Sequence, residues 1–173
     1  IVVQPRNSFT QPSHENVIIG NVTLYGATDG RLYASGQAGD RFCVRNSGAL
    51  AIVEGCGANG CEYMTGGSAI ILGNIGDNFG AGMTGGSAFI YSDQKNIADL
   101  MNMETISLYE VDNQDWKNHL LDLLKDFYKE TKSKRAEFII ENYDSEIKKF
   151  AHVVPDEVID KLEFPVTKKS KIA

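Results

Sequence analysis

The sequence predicts a mainly β protein: a single-stranded parallel β-helix with coils of 18–19 residues, followed by a C-terminal helical cap. Three observations predict this fold class. All 17 glycines lie between Gly20 and Gly86. They recur at a short fixed period, which is typical of repeat architectures. After the repeat, glycine disappears, charged residues become frequent and apolar residues take up helical spacing.

Two sets of glycines mark the repeat, and we predict that both are structural. Within each set the spacing is 18 or 19 residues, and the hexapeptide 64–69 returns unchanged at 83–88. Glycine is expected at the corners of such coils, where the backbone takes positive φ or where a side chain would collide with the next coil. The two sets are Gly20, Gly39, Gly57 and Gly76, and Gly30, Gly48, Gly66 and Gly85.

Short β-prone runs lie between these glycines and are bounded by Gly, Asn, Asp and Ser. We expect two or three strands in each coil, with successive coils about 4.8 Å apart. Equivalent side chains of successive coils would then form ladders along the axis. The predicted ladders are Ala51, Ala69 and Ala88; Ile52, Ile70 and Phe89; and Val53, Ile71 and Ile90.

The N-terminal segment predicts two strands separated by a loop. Residues 1–3 form an apolar run with no turn or cap before it. Because an unpaired strand edge invites aggregation, we expect further sequence upstream. Residues 4–15 contain two of the four prolines and predict an irregular loop. Residues 16–19 return to a strand pattern that ends at Gly20.

The apolar pattern changes to that of an α-helix from Asp112 onward. Apolar residues follow the i, i+4, i+7, i+8, i+11 spacing of one helical face. Asp112 or Asn113 is a suitable N-cap. The predicted face consists of Trp116, Leu120, Leu123, Leu124 and Phe127.

A second helix is predicted from Ser133 to Lys149, and a short third helix from Pro155, since proline suits a first turn. We expect the helices to cover the open end of the β-helix.

The chain then divides into a glycine-repeat β-helix, residues 1–96, and a connecting segment with a helical cap, residues 97–173. The change of character falls near residues 91–96, and residues 167–173 are expected to fray.

Charge and composition argue against several classes of protein. The net charge is −6, and residues 1–91 contain four Arg and no Lys. Such a chain is a poor candidate for binding nucleic acid or anionic membranes. No apolar run approaches the roughly 20 residues of a membrane span. Three cysteines are an odd number for a disulfide framework, so we expect a reducing, cytoplasmic setting.

The glycine-rich stretch 73–80 and the cysteines are the most obvious candidates for chemistry. A glycine loop cradles phosphate when it leads into a helix, but a strand pattern follows here, so we favour repeat corners. Cys43 and Cys61 occupy equivalent positions in successive coils, with Cys56 between them. Small core side chains are a simpler interpretation of these thiols than redox or metal-binding residues.

The titratable residues of the repeat and the histidines form no recognisable catalytic set. The histidines lie in three separate segments. The carboxylates could serve polysaccharide cleavage, but they do not stack in one ladder. The two arginines could bind an anion or a partner's carboxylate, although a salt bridge to Asp40 or Glu54 is simpler. We therefore predict no catalytic, cofactor-binding or metal-ligating residue. The residues considered are His14, His119, His152, Glu54, Glu62, Asp40, Asp77, Arg41 and Arg45.

Several stretches of the repeat resemble the C-terminal domain of the glutamate synthase large (alpha) chain, the GXGXG domain. They are residues 20–28, 42–49, 53–55, 60–67 and 78–86. The G-x2-G-x3-G repeat is complete at Gly73, Gly76 and Gly80. Cysteine replaces its third glycine at Cys43 and Cys61, and Glu54 replaces a first one. The tail is also similar, at residues 135–140 and 149–155, and residues 1–5 look like the end of an earlier coil.

The resemblance implies a right-handed β-helix that braces the other domains of glutamate synthase. That enzyme converts glutamine and 2-oxoglutarate to two glutamates, with electrons from NAD(P)H or ferredoxin. Its glutaminase domain has an N-terminal cysteine nucleophile, and ammonia passes through a tunnel to an FMN domain that carries an iron–sulfur cluster. FMN and the cluster are thus expected in partner domains. The chain itself is expected to be a non-catalytic domain or split subunit.

The partners that the resemblance implies are the glutaminase and FMN domains. A homo-oligomer is also possible, and we expect no binding to nucleic acid or membranes. Two alternatives remain. One is a β-helix subunit of a formylmethanofuran dehydrogenase-like complex, which shares the glycine repeat, although residues 61–67 and the helical tail argue against it. The other is a stand-alone sugar-acting β-helix protein.

Overall fold

A computed structural model describes residues 1–92 and 96–167. The described residues contain eight strands and three α-helices, joined by turns and short 3₁₀ helices. The strands are β1 Val2–Val3, β2 Val17–Ile19, β3 Arg31–Ala38, β4 Ser47–Cys56, β5 Thr65–Ile71, β6 Gly85–Tyr91, β7 Ile106–Glu110 and β8 Phe150–Pro155. The helices are α1 Gln114–Thr131, α2 Lys134–Glu141 and α3 Tyr143–Glu146, and the 3₁₀ helices are Ser13–Glu15, Ile97–Leu100, Ile147–Lys149 and Asp156–Lys161.

Four strands of successive coils stack in parallel, which confirms the predicted β-solenoid. The sheet order is β1-β3-β4-β5-β6-β8-β7, and β2 also pairs with β3. Ala51 lies opposite Ala69, and Ala69 opposite Ala88. The two neighbouring ladders follow the same register, as predicted. The period of 18–19 residues is therefore the length of one coil.

Each coil from β3 to β6 contributes one regular strand, so the expected two or three strands per coil are wrong for these coils. The return side of each coil is a turn segment in which every second residue has positive φ. Arg41, Cys43 and Arg45 have φ of 61°, 58° and 56°. Their N–H groups donate to carbonyls of the two adjoining coils, for example Cys43 N to Thr23 O at 2.9 Å. This alternation satisfies the backbone but excludes the extended geometry of a strand.

Both faces of the parallel sheet are buried, in two separate cores. Ala51 and Val53 point into the solenoid, where they pack with Phe42 and the thiols of Cys43 and Cys61. Ile52 points to the opposite face. The residues that form this second core with the helices include Ile70, Phe89, Trp116, Leu120, Leu124, Phe127 and Ile139. The inward and outward alternation is the ordinary period of a strand.

The predicted lattice glycines lie where successive coils approach closely. A Cβ on six of the eight would lie 2.1–2.4 Å from an atom of the preceding coil. At Gly57 the nearest atom is Asp40 Oδ1 at 2.1 Å, and at Gly76 it is Ala58 N at 2.4 Å. Gly20 and Gly30, in the first coil, meet nothing within 4 Å. The structural role of the set remains a prediction, tested below.

The helices follow the solenoid as predicted, but they cover the face of the sheet. The free edge of β6 pairs with β8, and β8 pairs with β7, both antiparallel. A strand can satisfy the N–H and C=O groups of an exposed edge, whereas a helix uses its own backbone groups internally. The predicted division near residues 91–96 includes residues 93–95, which lie outside the described residues. The strands before and after this division belong to one sheet.

The helix boundaries match the predicted caps, with one correction. Asn113 caps α1 by accepting from Asp115 N and Trp116 N, and Ser133 caps α2 by accepting from Ala136 N. The single helix predicted over 133–149 is wrong. It breaks at Asn142, whose side chain donates to the carbonyl of Phe138, because asparagine competes for helix hydrogen bonds. The segment after Pro155 is a 3₁₀ helix, and residues 168–173, expected to fray, lie outside the described residues.

Candidate functional site

The glycine-rich stretch 73–80 lies at the corner of the last coil and leads into a turn and then β6. A Cβ on Gly73 would lie 2.4 Å from the carbonyl oxygen of Glu54. The space beside Gly73 and Gly76 is therefore occupied by the preceding coil, and the space beside Gly80 by Ile106 of β7. A phosphate cradle needs open N–H groups at a helix N-terminus, and this segment has a different geometry.

All three cysteines are buried as free thiols inside the solenoid. Burial, followed by the neighbouring Cys61, raises the pKa of Cys56 far above its ordinary value. A hydrogen bond with Cys43 and burial raise the pKa of Cys61 as well. Because the thiolate is the reactive and metal-binding form, these side chains behave as interior packing groups.

The structure brings two of the three histidines together: His119 and His152 both pack against Trp116, at ring-centroid distances of 5.8 and 4.8 Å. His14 is near the surface, with Nε2 3.9 Å from Glu15 Oε1, and His119 lies on α1. His152, on β8, is fully buried and stacks on Phe89 with ring centroids 4.1 Å apart. Neither ring nitrogen of His152 has a hydrogen-bond partner within the described part of the chain. Burial and, secondarily, His119 lower its pKa to about 3.

Glu54 forms a polar centre that sequence reasoning missed. Its carboxylate is fully buried and accepts hydrogen bonds from Ser13 Oγ at 2.6 Å and Ser35 Oγ at 3.2 Å, and from the hydroxyl of Ser133. Ser133 also caps α2, so Glu54 ties the N-terminal loop and β3 to the helical layer. The available signal was the lone carboxylate of Glu54 directly after the apolar run 51–53 of a predicted strand.

The other repeat carboxylates have structural contacts. Asp40 Oδ1 accepts from Ala58 N at 2.9 Å, so it joins two coils. Asp77 is exposed, and its carbonyl accepts from Asn59 N. Glu62 Oε2 lies 3.5 Å from Arg41 Nη2, an ion pair beyond ordinary hydrogen-bond geometry. The predicted partners of Arg41, Asp40 or Glu54, are therefore wrong, because the guanidinium reaches a carboxylate on the next coil.

An open groove of about 500 Å³ lies on the turn side of the solenoid. Its walls include both candidate arginines, Arg41 and Arg45, together with two tyrosines, Tyr25 and Tyr63. Among residues 1–92 and 96–167, no group of three or more His, Cys, Asp or Glu side chains could hold a metal ion. The helices of the same residues include none that is both long and apolar enough to cross a membrane.

These features define the chain as a β-solenoid domain with a helical layer on one face. The sequence model of the GXGXG motif family matches residues 1–156, and the chain belongs to this family. It is 48% identical over 166 residues to the glutamate synthase (NADPH) large chain of Azospirillum brasilense. It is 44% identical over 171 residues to the glutamate synthase (NADH) of Schizosaccharomyces pombe. It is 43% identical over 155 residues to the ferredoxin-dependent glutamate synthase of Pyropia yezoensis.

The matches cover nearly all of this chain and a small part of each relative. They span 96%, 99% and 90% of the chain, but 11%, 8% and 10% of the three relatives in the same order. The chain therefore spans about a tenth of the length of the curated relatives it matches. The resemblance to the GXGXG domain of glutamate synthase, drawn from residues 20–86 and the tail, is confirmed.

Proposed function

We propose that this chain is the scaffold of a glutamate synthase, either as a domain of the large chain or as a separate subunit, and that it takes no part in the chemistry. The observation that carries the proposal is the 48% identity to a glutamate synthase large chain over 96% of this chain. In this role the solenoid braces the glutaminase and FMN domains of an enzyme that forms two glutamates from glutamine and 2-oxoglutarate.

The number and the burial of the cysteines in this chain support placing FMN and the iron–sulfur cluster in the partner domains. A cluster held by cysteine needs thiolates, usually four of them. This chain has three cysteines, all buried with the core side chains of the solenoid. Their free thiols are also consistent with a reducing, cytoplasmic location.

The non-catalytic role is tested by alanine substitution in the complete enzyme. Arg41→Ala, Asp77→Ala and His14→Ala each remove a side chain that could take part in chemistry without opening the core. We expect kcat/KM for glutamate formation to change less than about twofold, whereas loss of a general acid or base costs about 10²-fold or more. A hundredfold loss in a correctly folded variant would assign that residue to the reaction and contradict the proposal.

The scaffold role is tested by association. The 173-residue chain, produced separately, should co-elute with the glutaminase and FMN domains in size-exclusion chromatography. Gly76→Val, which places a side chain against the backbone of Ala58, should abolish co-elution. Absence of any complex at micromolar concentrations would remove the support for a scaffold.

The two alternatives gain nothing from the structure or the relatives. The three relatives described above are glutamate synthases and not subunits of a formylmethanofuran dehydrogenase. Glu54 and Asp40 are engaged in hydrogen bonds that hold the fold, which leaves them unsuited to polysaccharide cleavage. Turnover of a polysaccharide by the isolated chain would reverse this preference.

A further inference from the structure

Four equivalent positions of the turn segments form a column on the open side of the solenoid, here called the turn column. Its members are Gly26, Arg45, Tyr63 and Gly82, with φ of 65°, 56°, 54° and 63°. Glycine adopts this conformation without steric penalty, whereas for arginine and tyrosine the same conformation carries a steric cost. The requirements of the backbone alone would be met best by glycine at all four positions. Arg45 and Tyr63 are therefore candidates for a role beyond folding.

Arg45 and Tyr63 both line the turn-side groove, together with Tyr25. Tyr25 and Tyr63 are 50% and 56% exposed. The ring of Tyr63 lies on Gly82, where a Cβ would be 2.5 Å from two ring carbons. This contact packs the ring against the next coil. The groove thus presents two aromatic rings at its surface, one of them packed against a glycine of the fold.

The groove also offers an uncompensated positive charge. Arg41 pairs with Glu62 at 3.5 Å. Within the part of the chain that the structure describes, Arg45 has no carboxylate within ion-pair distance. Residues 1–91 contain only four basic side chains, and two of them are here. Charge complementarity therefore favours an occupant that brings a carboxylate.

Composition and the length of the relatives indicate what the occupant is. Tyrosine and arginine are enriched at the centres of protein interfaces, where fixed rings lose little entropy on binding. The opposite side of the solenoid wall is covered by α1 and α2 of this chain. The relatives are about ten times longer than the chain. A surface of another domain of the same enzyme is thus available to cover the groove.

We propose that the turn-side groove is the docking surface for a carboxylate-bearing segment of another domain of the same glutamate synthase. Arg45 provides the charge contact, and Tyr25 and Tyr63 provide the aromatic contacts. This inference rests on the proposed scaffold function and specifies the face through which the scaffold engages its partner.

The test uses the complete large chain with photoreactive benzoylphenylalanine in place of Tyr63. The matched control carries the same group in place of Phe138, a 49% exposed aromatic residue on α2. Mass spectrometry should identify a cross-link from position 63 to an Asp- or Glu-containing peptide of a preceding domain, absent from position 138. Arg45→Glu should lower its yield at least about tenfold, whereas Lys125→Glu on α1 should not. Position 25 serves as a second reporter if the variant at 63 misfolds.

Arg45→Gly separates docking from folding. It should leave the urea midpoint of the chain unchanged or higher, because glycine suits the φ of this position, and still reduce the cross-link. A lowered midpoint together with an unchanged cross-link would assign Arg45 to folding and overturn the proposal. Cross-links from position 63 to a second copy of this segment would overturn it in favour of an interface between copies.

The failure of this inference is distinguishable from the failure of the scaffold role. If position 138 links to other domains and position 63 does not, the scaffold stands and the docking face is wrong. If neither position links and limited proteolysis releases a freely moving segment, both proposals fail.

Discussion

His152 should make the stability of this protein fall as the pH drops below its ordinary titration range. The ring is fully buried between Phe89 and Trp116, at centroid distances of 4.1 and 4.8 Å. Burial, with a smaller effect of His119, lowers its pKa from 6.5 to about 3. The unfolded chain therefore binds a proton more readily than the folded one. The stability is complete above pH 6.5 and is lost as the pH falls towards 3.

The size of the effect follows from the pKa difference. One pKa unit corresponds to about 1.4 kcal/mol, and pH 5 lies about 1.5 units below the unfolded-state pKa. The wild-type protein should thus lose about 2 kcal/mol from this residue between pH 8 and pH 5. The variant His152→Leu has similar volume and nothing to titrate. All other titrating groups are common to both proteins, so they cancel in the difference.

Urea unfolding at half-unit steps from pH 8 to pH 5 measures this difference, with the fluorescence of the only tryptophan, Trp116, as the signal. The stability of wild type relative to His152→Leu should decline by about 2 kcal/mol across the range. His119→Gln should retain most of the decline, because burial is the larger cause of the lowered pKa. A difference between wild type and His152→Leu that stays constant within about 0.5 kcal/mol would refute a buried neutral imidazole.

Two further predictions concern the glycine lattice and the buried carboxylate. Gly76→Ala should destabilise the chain by about 1–3 kcal/mol, because its Cβ would meet Ala58 N at 2.4 Å. Gly20→Ala, at the equivalent position of the first coil, meets nothing within 4 Å and should change stability by no more than about 0.5 kcal/mol in urea unfolding; equal losses would mean that the lattice is misassigned. Glu54→Gln and Ser133→Ala should each cost about 1–3 kcal/mol, and a double-mutant cycle should show a double loss smaller than the sum; strict additivity would place the two groups in separate interactions.

The solenoid was predictable because the glycines and the short apolar runs recur at the same interval of 18–19 residues. Once the glycines were aligned, Ile52, Ile70 and Phe89 could occupy only one ladder. The turn segments were not predictable, since cysteine, tyrosine and arginine have no preference for positive φ, and only long-range backbone bonds impose it. Strands β7 and β8 were missed for a similar reason. Each is a short apolar run whose partner lies more than forty residues away in sequence.

The candidate site was harder to predict than the fold because its contacts join distant segments. Glu54 accepts hydrogen bonds from the hydroxyl groups of Ser13 and Ser133, which lie 41 and 79 positions away in the sequence. No local sequence pattern connects these residues. His152 is unusual only because α1 and β6 enclose it. The sequence did draw attention to Arg41 and Arg45 as residues that could meet a partner's carboxylate. It could not show that Arg41 is already paired with Glu62 and that Arg45 lines the same groove as two exposed tyrosines.

In the turn column, the bonds that join the coils come from the backbone and do not depend on the side chains. The coils are joined there by backbone groups, for example Arg45 N to Glu62 O at 2.9 Å and Tyr63 N to Ala81 O at 2.8 Å. These bonds are the same whatever side chain occupies the position, as Gly26 N to Val44 O at 2.8 Å demonstrates. Side chains of the column project from a backbone that does not need them. A solenoid of this kind can therefore vary the side chains of this surface while its register and its two cores stay unchanged.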